Sequence, residues 1–143
     1  MAGLPSWVRG RLDLLMGHLG ELLKARALPF DDALRGAPTR HGVYVISEKH
    51  ASPGKYLYAG RTKNGARGLQ GRMKQHYRGG GPDARSDLVE MVQASKKAVS
   101  RSAAQQWISE NCYVQWAVVD APHERSWREH FIISVLRPIW QRD

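Results

Sequence analysis

The sequence predicts an α+β fold in which a small three-stranded antiparallel sheet is flanked by helices, as an α/β sandwich. Two observations predict the sheet: β-branched and aromatic runs between residues 42 and 60, and an apolar run at 112–120. A third predicts the helices, because apolar residues recur every three or four positions in the remaining segments. With 143 residues, the chain fits a single domain that can bury a core.

Residues 1–41 are predicted to form an N-terminal amphipathic helix and a connector. Between residues 6 and 25, a tryptophan, a valine and five leucines follow helical spacing, and their apolar stripe requires a partner surface. We favour a packing role for this helix over a recognition role. Residues 28–41 contain two prolines, Gly36 and several charges, which is typical of a connector.

The next segment is a predicted β-hairpin. Gly42–Ser47 and Tyr56–Gly60 are its strands, and a polar turn at residues 48–55 joins them. Because residues two apart on a strand share a face, the pleat determines the directions of Tyr44 and Tyr58. Taken alone, these two residues are ordinary strand aromatics.

Five segments follow the hairpin. Residues 61–68 form a basic, glycine-containing turn whose amides and side chains can approach a phosphate. Leu69–Tyr77 is a short predicted helix, and the glycine-rich residues 78–86 can fold over a ligand. Helical spacing returns at residues 87–98 and Ser102–Glu110.

The last predicted elements are a strand at Cys112–Asp120 and a helix at Glu124–Leu136, which Pro138 ends. Glu129 falls inside the apolar arc of this helix. A carboxylate in that position is costly unless it is paired or binds a metal ion. A salt bridge with Arg128 or Arg72 is the structural alternative to a metal ligand.

The charge balance favours a polyanionic partner, since 22 Lys and Arg face 13 Asp and Glu for a net charge of +9. Nucleic acid comes first among such partners and an anionic membrane surface second. The single cysteine, Cys112, excludes an internal disulfide and fits a reducing cytoplasm. No apolar run is long enough to cross a membrane, and charged residues interrupt the first leucines, unlike a secretory signal. We therefore expect a cytoplasmic protein.

A set of ordered motifs carries a family resemblance. Gly42-Val43-Tyr44 followed by Tyr58-Ala59-Gly60 resembles the paired signature of the GIY-YIG nuclease family. The family continues with an arginine and a histidine four apart, then a late glutamate, a proline and an asparagine. Here those positions hold Arg72, His76, Glu129, Pro138 and, in place of the asparagine, Gln141. The resemblance implies that residues 42–143 form a GIY-YIG-like nuclease domain. Together with residues 1–41 they are expected to form a single compact domain.

The resemblance implies a divalent-metal-dependent DNA endonuclease that hydrolyses phosphodiester bonds. It implies that Tyr44 takes the proton from the attacking water, with help from Tyr58 or a neighbouring cation. Arg72 would stabilise the scissile phosphate through charge-assisted contacts. Glu129 would hold one Mg²⁺ or Mn²⁺ ion. Phosphate oxygens and water molecules would complete the coordination of that ion.

The general base has two candidates. Tyrosine is a poor base near neutral pH unless positive neighbours lower its pKa. The unperturbed pKa of a histidine such as His76 already suits this role. We favour Tyr44, with His76 orienting the water or assisting Tyr44, and this preference rests mainly on the resemblance.

Several cations are predicted to contact nucleic acid: Arg61, Lys63, Arg67, Lys74 and Arg78. Arg61 and Gln141 are also predicted to support the catalytic residues. The family often has lysine where Arg61 stands, so the charge is kept but a lysine-specific proton role is lost. Gln141 is one methylene longer than the usual asparagine, which shifts the position of its amide.

Two functions follow from these observations. The first is a DNA endonuclease of the restriction, repair or defence type, with RNA as an alternative substrate. The second is a catalytically weak or inactive nucleic-acid-binding module of the same fold, which the presence of all five catalytic residues disfavours. Membrane docking is set aside, because the N-terminal helix lacks a Lys/Arg-rich face. Cutting both strands would require a homodimer or two sequential nicks.

Overall fold

The computed structural model describes residues 3–49, 55–65, 67–81, 84–95 and 97–141. In these ranges the chain forms an antiparallel sheet with helices packed on both faces, which confirms the predicted α+β class. No described helix is long and apolar enough to cross a membrane. In chain order the elements are α1 (Ser6–Lys24), β1 (Leu28–Pro29), α2 (Phe30–Gly36), β2 (Gly42–Glu48), β3 (Tyr56–Arg61), α3 (Gly68–Arg78), α4 (Leu88–Ala94), α5 (Arg101–Asn111), β4 (Cys112–Val118) and α6 (Pro122–Leu136).

The described sheet has four strands in the order β1-β4-β2-β3, whereas the sequence predicted three. The additional strand, β1, is only two residues long and pairs with β4. The predicted hairpin corresponds to β2 and β3, in which Tyr44 lies opposite Gly60. On its other side β2 pairs with β4, so Tyr44 also lies opposite Trp116. Strand β2 is therefore the centre of the sheet and is buried along almost its whole length.

Alternate residues of β2 enter two different cores, as the period of a strand requires. One core lies under α1 and α6, and the other lies under α2, α3, α4 and α5. Tyr44 belongs to the second core, on the face that α3 covers. Members of the first core are Leu22, Val43, Val45, Ala59 and Ile132, and members of the second are Phe30, Tyr44, Ile46, Met73 and Leu88.

The segment interpreted as a connector is part of the folded structure. It forms β1 and α2, and Phe30 and Ala33 are fully buried against the sheet. Two prolines and several charges concealed this short amphipathic helix in the sequence. The hairpin turn lies mostly outside the described residues, which resume at Lys55.

The N-terminal helix is packed less completely than its apolar stripe predicted. Of its residues only Leu22 is buried, and Trp7 is 64% exposed. The C-terminal half of α1 lies against α6 and β4, where Leu19, Leu22 and Leu23 join the first core. The predicted packing role therefore applies to the second half of the helix.

Candidate active site

A cleft of about 1350 Å³ lies between α3 and α6, beside the end of the edge strand β3. Among its described lining residues, seven are lysine or arginine and two are carboxylates. The carboxylates are Asp87 and Glu129, and the cations are Arg61, Lys63, Arg67, Arg72, Lys74, Arg78 and Arg137. All five residues predicted to bind nucleic acid thus lie on this cleft.

Four of the five predicted catalytic residues meet beneath the cleft. The hydroxyl of Tyr44 lies 2.7 Å from Nε2 of His76 and accepts a hydrogen bond from Nε of Arg72 at 3.1 Å. The ring of Tyr58 lies 6.3 Å from that of Tyr44 and 5.4 Å from that of His76. Tyr44 and His76 are fully buried, whereas Tyr58 and Arg72 reach the cleft surface.

The hydrogen bonds of His76 assign its tautomer. The backbone N–H of Leu88 donates to Nδ1 at 2.8 Å, so that nitrogen carries a lone pair. Burial, and secondarily the charge of Arg72, holds the pKa of His76 well below its ordinary value, so the ring is neutral. Its proton is then on Nε2 and is donated to the hydroxyl of Tyr44. In this arrangement neither ring nitrogen of His76 is free to accept a proton.

Hydrogen bonds to Tyr44, Asp87 and Ser86 fix the position of Arg72. Its Nε donates to Tyr44, one terminal nitrogen donates to Oδ1 of Asp87 at 2.8 Å, and the other donates to the carbonyl oxygen of Ser86 at 3.0 Å. Burial alone would lower the pKa of Arg72, but Tyr44 and the hydrogen bond to Asp87 raise it instead. The guanidinium is therefore a permanent positive charge beside the phenol oxygen.

Asp87 is the buried carboxylate that the sequence reasoning missed. It is 1% exposed, and it accepts hydrogen bonds from Arg72 and from Nε2 of Gln75. An aspartate directly before a helix normally indicates an N-cap. Here the side chain makes no capping bond to α4 and turns to α3 instead, so the only sequence signal pointed to a different role.

Two electrostatic effects act in opposite directions on the pKa values of Tyr44 and Tyr58. Burial is the larger effect and raises the pKa of Tyr44 and of Tyr58 above the ordinary value of tyrosine, and the charge of Arg72 offsets this only in part. Two N–H donors on the Tyr44 oxygen favour its ionised form. Because Tyr44 is fully buried, water reaches this oxygen only when the side chains above it move.

Gly60 is required by the position of Tyr44. A Cβ atom at residue 60 would lie 2.5 Å from the hydroxyl oxygen of Tyr44 and 3.0 Å from the ring of Tyr58. No real side chain tolerates such contacts. The glycine of the second tripeptide therefore leaves the space that the first tyrosine fills.

Glu129 lies on the α6 wall of the cleft, apart from the tyrosine cluster. Its Oε1 accepts a hydrogen bond from Arg61 at 2.9 Å, and the two side chains are 16% and 30% exposed. The expected alternative partners are wrong, because Arg128 pairs with Glu124 and Arg72 pairs with Asp87. Arg61 is the last residue of β3, and that position brings it to α6.

Gln141 supports the outer edge of β3. Its side-chain oxygen accepts a hydrogen bond from the backbone N–H of Ala59 at 3.0 Å. The backbone N–H groups of Ile139 and Trp140 donate to Tyr56 and Leu57 at 3.0 and 2.9 Å. These bonds occupy polar groups that an edge strand would otherwise expose. The longer amide of glutamine thus still reaches the strand that carries Tyr58.

Arg125 is a second residue that sequence reasoning missed. It is 2% exposed and donates to the carbonyl oxygens of Val119 and Asp120 at 2.9 and 2.8 Å. It also donates to Oδ1 of Asn64 at 2.6 Å. Since Asn64 follows Lys63, this contact ties the basic loop after β3 to the start of α6.

Five of the seven cleft cations have no fixed partner. Within the described part of the chain, their side chains make no hydrogen bond or ion pair. By contrast, both remaining cations are paired, Arg61 with Glu129 and Arg72 with Asp87. The unpaired side chains are those of Lys63, Arg67, Lys74, Arg78 and Arg137.

Comparisons with known protein families, curated proteins and solved structures found no match to this chain. The resemblance to GIY-YIG nucleases therefore stays a prediction that rests on the residues and on their arrangement.

Proposed function

We propose that the protein is a divalent-metal-dependent DNA endonuclease of the GIY-YIG type. One observation carries the proposal: a tyrosine hydroxyl with two N–H donors lies beneath a cationic cleft whose far wall holds a carboxylate. The five cleft cations that have no partner among the described residues repel one another, and a polyanion relieves that repulsion. Cytoplasmic restriction, repair or defence are the roles that such an enzyme would serve.

The reaction is hydrolysis of a phosphodiester bond. The oxygen of water forms a bond to phosphorus, the bond from phosphorus to the 3′ oxygen breaks, and one water proton passes to the base. The 3′ oxygen leaves as an alkoxide and takes a proton from solvent. For Tyr44 to accept that proton it must first be ionised. Burial opposes ionisation by raising the pKa of Tyr44, whereas Arg72 and the Nε2–H of His76 stabilise the ionised oxygen. Tyr58, at the cleft surface, is the nearer phenol to an incoming phosphate.

Arg72 has a second role in this proposal. Its guanidinium lines the cleft and keeps its positive charge, which would stabilise the negative charge that develops on the scissile phosphate.

Glu129 would hold the metal ion, Mg²⁺ or Mn²⁺. Proteins bind Mg²⁺ through one or two carboxylates, and substrate phosphates and waters complete its coordination. A single carboxylate on a cleft wall fits that requirement. Bound there, the ion would stabilise the negative charge on the phosphate and on the leaving oxygen. The described residues contain no group of three His, Cys, Asp or Glu side chains that could hold a metal by themselves. We therefore expect the metal ion to bind once DNA phosphates complete its coordination, whereas the cleft cations bind DNA without it.

The test is cleavage of supercoiled plasmid in Mg²⁺ or Mn²⁺ by the wild type, Glu129→Gln and Glu124→Gln. Glu124 is the matched control, since it lies on the same helix, pairs with Arg128 and does not line the cleft. Cleavage by the wild type and Glu124→Gln alone supports the proposal. Equal cleavage by all three proteins overturns the role of Glu129.

A nucleic-acid-binding module without cleavage is the second candidate. The observation in its favour is that both central cations are neutralised, Arg61 by Glu129 and Arg72 by Asp87. Its signature in the same assay is salt-sensitive DNA binding by all three proteins with no cleavage by any.

A further inference from the structure

Arg137 has the backbone conformation that chains normally give to glycine. Its φ is 47° and its ψ is 62°, and it is the one non-glycine residue with positive φ in the described part of the chain. The left-handed region brings Cβ close to the following carbonyl oxygen, so helices usually place glycine or asparagine there.

The turn itself has a clear structural cause. Pro138 disfavours a right-handed helical conformation for the residue before it. The N–H of Arg137 still donates to the carbonyl oxygen of Ile133 at 2.9 Å, and two residues later the chain begins to hydrogen-bond along β3. The reversal from α6 to β3 therefore requires a left-handed residue, and glycine would satisfy the requirement with less strain. The backbone does not explain why the residue is arginine.

The side chain of Arg137 lies on the cleft. It shares the cleft-facing side of α6 with His130 and Ser134, which precede it by seven and three residues. Its guanidinium makes no hydrogen bond or ion pair with any described residue. On the α3 wall of the cleft lie Lys74 and Arg78, whose side chains likewise have no partner in the described part of the chain.

We infer that Arg137 binds a backbone phosphate of the DNA other than the scissile one, so that the cleft holds its substrate from both walls. This inference rests on the proposed function and extends it. The scissile phosphate is assigned to Glu129 and Arg72, whereas Arg137 lies eight residues after Glu129, about 12 Å further along α6. A strained backbone is retained because an arginine at this turn reaches into the cleft.

The test measures DNA affinity and thermal unfolding for the wild type, Arg137→Gly and Arg137→Lys. The probe is a fluorescent duplex of about two helical turns, titrated without divalent metal between 50 and 200 mM salt. We expect Arg137→Gly to unfold at the same or a higher temperature, because it relieves the left-handed strain. Its plot of log affinity against log salt should lose about one unit of slope, while Arg137→Lys keeps the wild-type slope. The control is Arg26→Gln, an exposed arginine outside the cleft.

The possible outcomes distinguish failure of the role of Arg137 from failure of the nuclease proposal. A wild-type slope for Arg137→Gly overturns the role of Arg137 and leaves the nuclease proposal intact. Absence of salt-dependent binding by the wild type overturns both. If the glycine variant is less stable than the wild type, Arg137→Gln decides, since it removes the charge and keeps a side chain at the turn.

Discussion

The cations of the cleft form two groups, an inner layer and an outer layer, which differ in their ion-pair partners. The inner layer, Arg61 and Arg72, is paired with the carboxylates Glu129 and Asp87, and Arg72 also holds the buried oxygen of Tyr44. The outer layer, made of Lys63, Arg67, Lys74, Arg78 and Arg137, has no partner among the described residues. The ion pairs fix the positions of the inner cations, whereas the outer cations attract anions without fixing where those anions bind.

This difference separates two kinds of mutational effect. A substitution in the inner layer leaves a buried or half-buried donor or charge without its partner. It should therefore lower both the free energy of unfolding and the rate of cleavage. A change in the outer layer removes a solvated charge and should leave the fold intact. The experiments below test that separation, from the largest expected effect to the smallest.

Removing the Tyr44 hydroxyl should have the largest effect. We expect Tyr44→Phe to lose about 10²- to 10⁴-fold in cleavage rate, the usual contribution of a general base. It should also lose about 1–3 kcal/mol of stability, because N–H groups of His76 and Arg72 stay buried without an acceptor. The rate is measured by plasmid nicking and the stability by urea unfolding.

The informative companion is Tyr58→Phe, which keeps the hydrogen bonds of Tyr44. A larger rate loss in Tyr58→Phe than in Tyr44→Phe would transfer the role of base to the tyrosine at the cleft surface. Such a result would contradict the resemblance on this point.

Removing the charge of Asp87 should destabilise the fold. Because Asp87→Asn leaves Arg72 without its carboxylate partner in a largely buried position, we expect a loss of about 3 kcal/mol in unfolding free energy. The matched control is Asp32→Asn, which breaks an exposed pair with Arg35 and should change stability by less than about 0.5 kcal/mol. Similar losses in both variants, measured by urea unfolding, would contradict the inner-layer assignment.

His76 should make the protein sensitive to acid. Its pKa is lowered in the folded state, so below about pH 6.5 the unfolded chain binds a proton that the folded chain does not. Stability should then fall by up to about 1.4 kcal/mol for each pH unit below that value, and it should be flat above it with respect to this group.

The measurement is urea unfolding between pH 5 and 8 for the wild type and His76→Gln. The variant lacks the titrating group, so its stability should depend less steeply on pH even if it is less stable at every pH. Parallel pH profiles for the two proteins would show that the ring is not held neutral.

Lys74→Gln in the outer layer should have the smallest effect on the fold. We expect its unfolding free energy to stay within about 0.5 kcal/mol of the wild type. The salt slope of DNA binding should fall by about one unit, as for any lost phosphate contact. Arg9→Gln, an exposed cation on α1, is the control that should keep the wild-type slope. A large stability loss in Lys74→Gln would mean that the outer layer is structural.

The sequence anticipated most of the regular elements, because their apolar periods are local. The hairpin, the helix within residues 87–98 and the last helix follow from spacing alone. Residues 28–41 were misinterpreted as a connector, since Pro29 and the charges of α2 mask a helix that becomes stable only when Phe30 is buried. Short helices gain most of their stability from such packing.

The candidate site divides in the same way. Arg72 and His76 are four apart, so their shared face on α3 could be read from the sequence. Asp87 and the pairing of Glu129 with Arg61 could not, because both contacts join residues that are far apart in the sequence and that only the packing of α3 and α6 around β3 brings together.

By itself the sequence determined the hairpin that carries the two tyrosines and the excess of positive charge. These are consequences of strand period and composition, which involve near neighbours or the whole chain. The tertiary structure decided which cations are paired, the neutral tautomer of His76 and the left-handed turn at Arg137. Those depend on the exact approach of distant segments, because hydrogen bonds and ion pairs act over a few ångströms and only packing sets such distances.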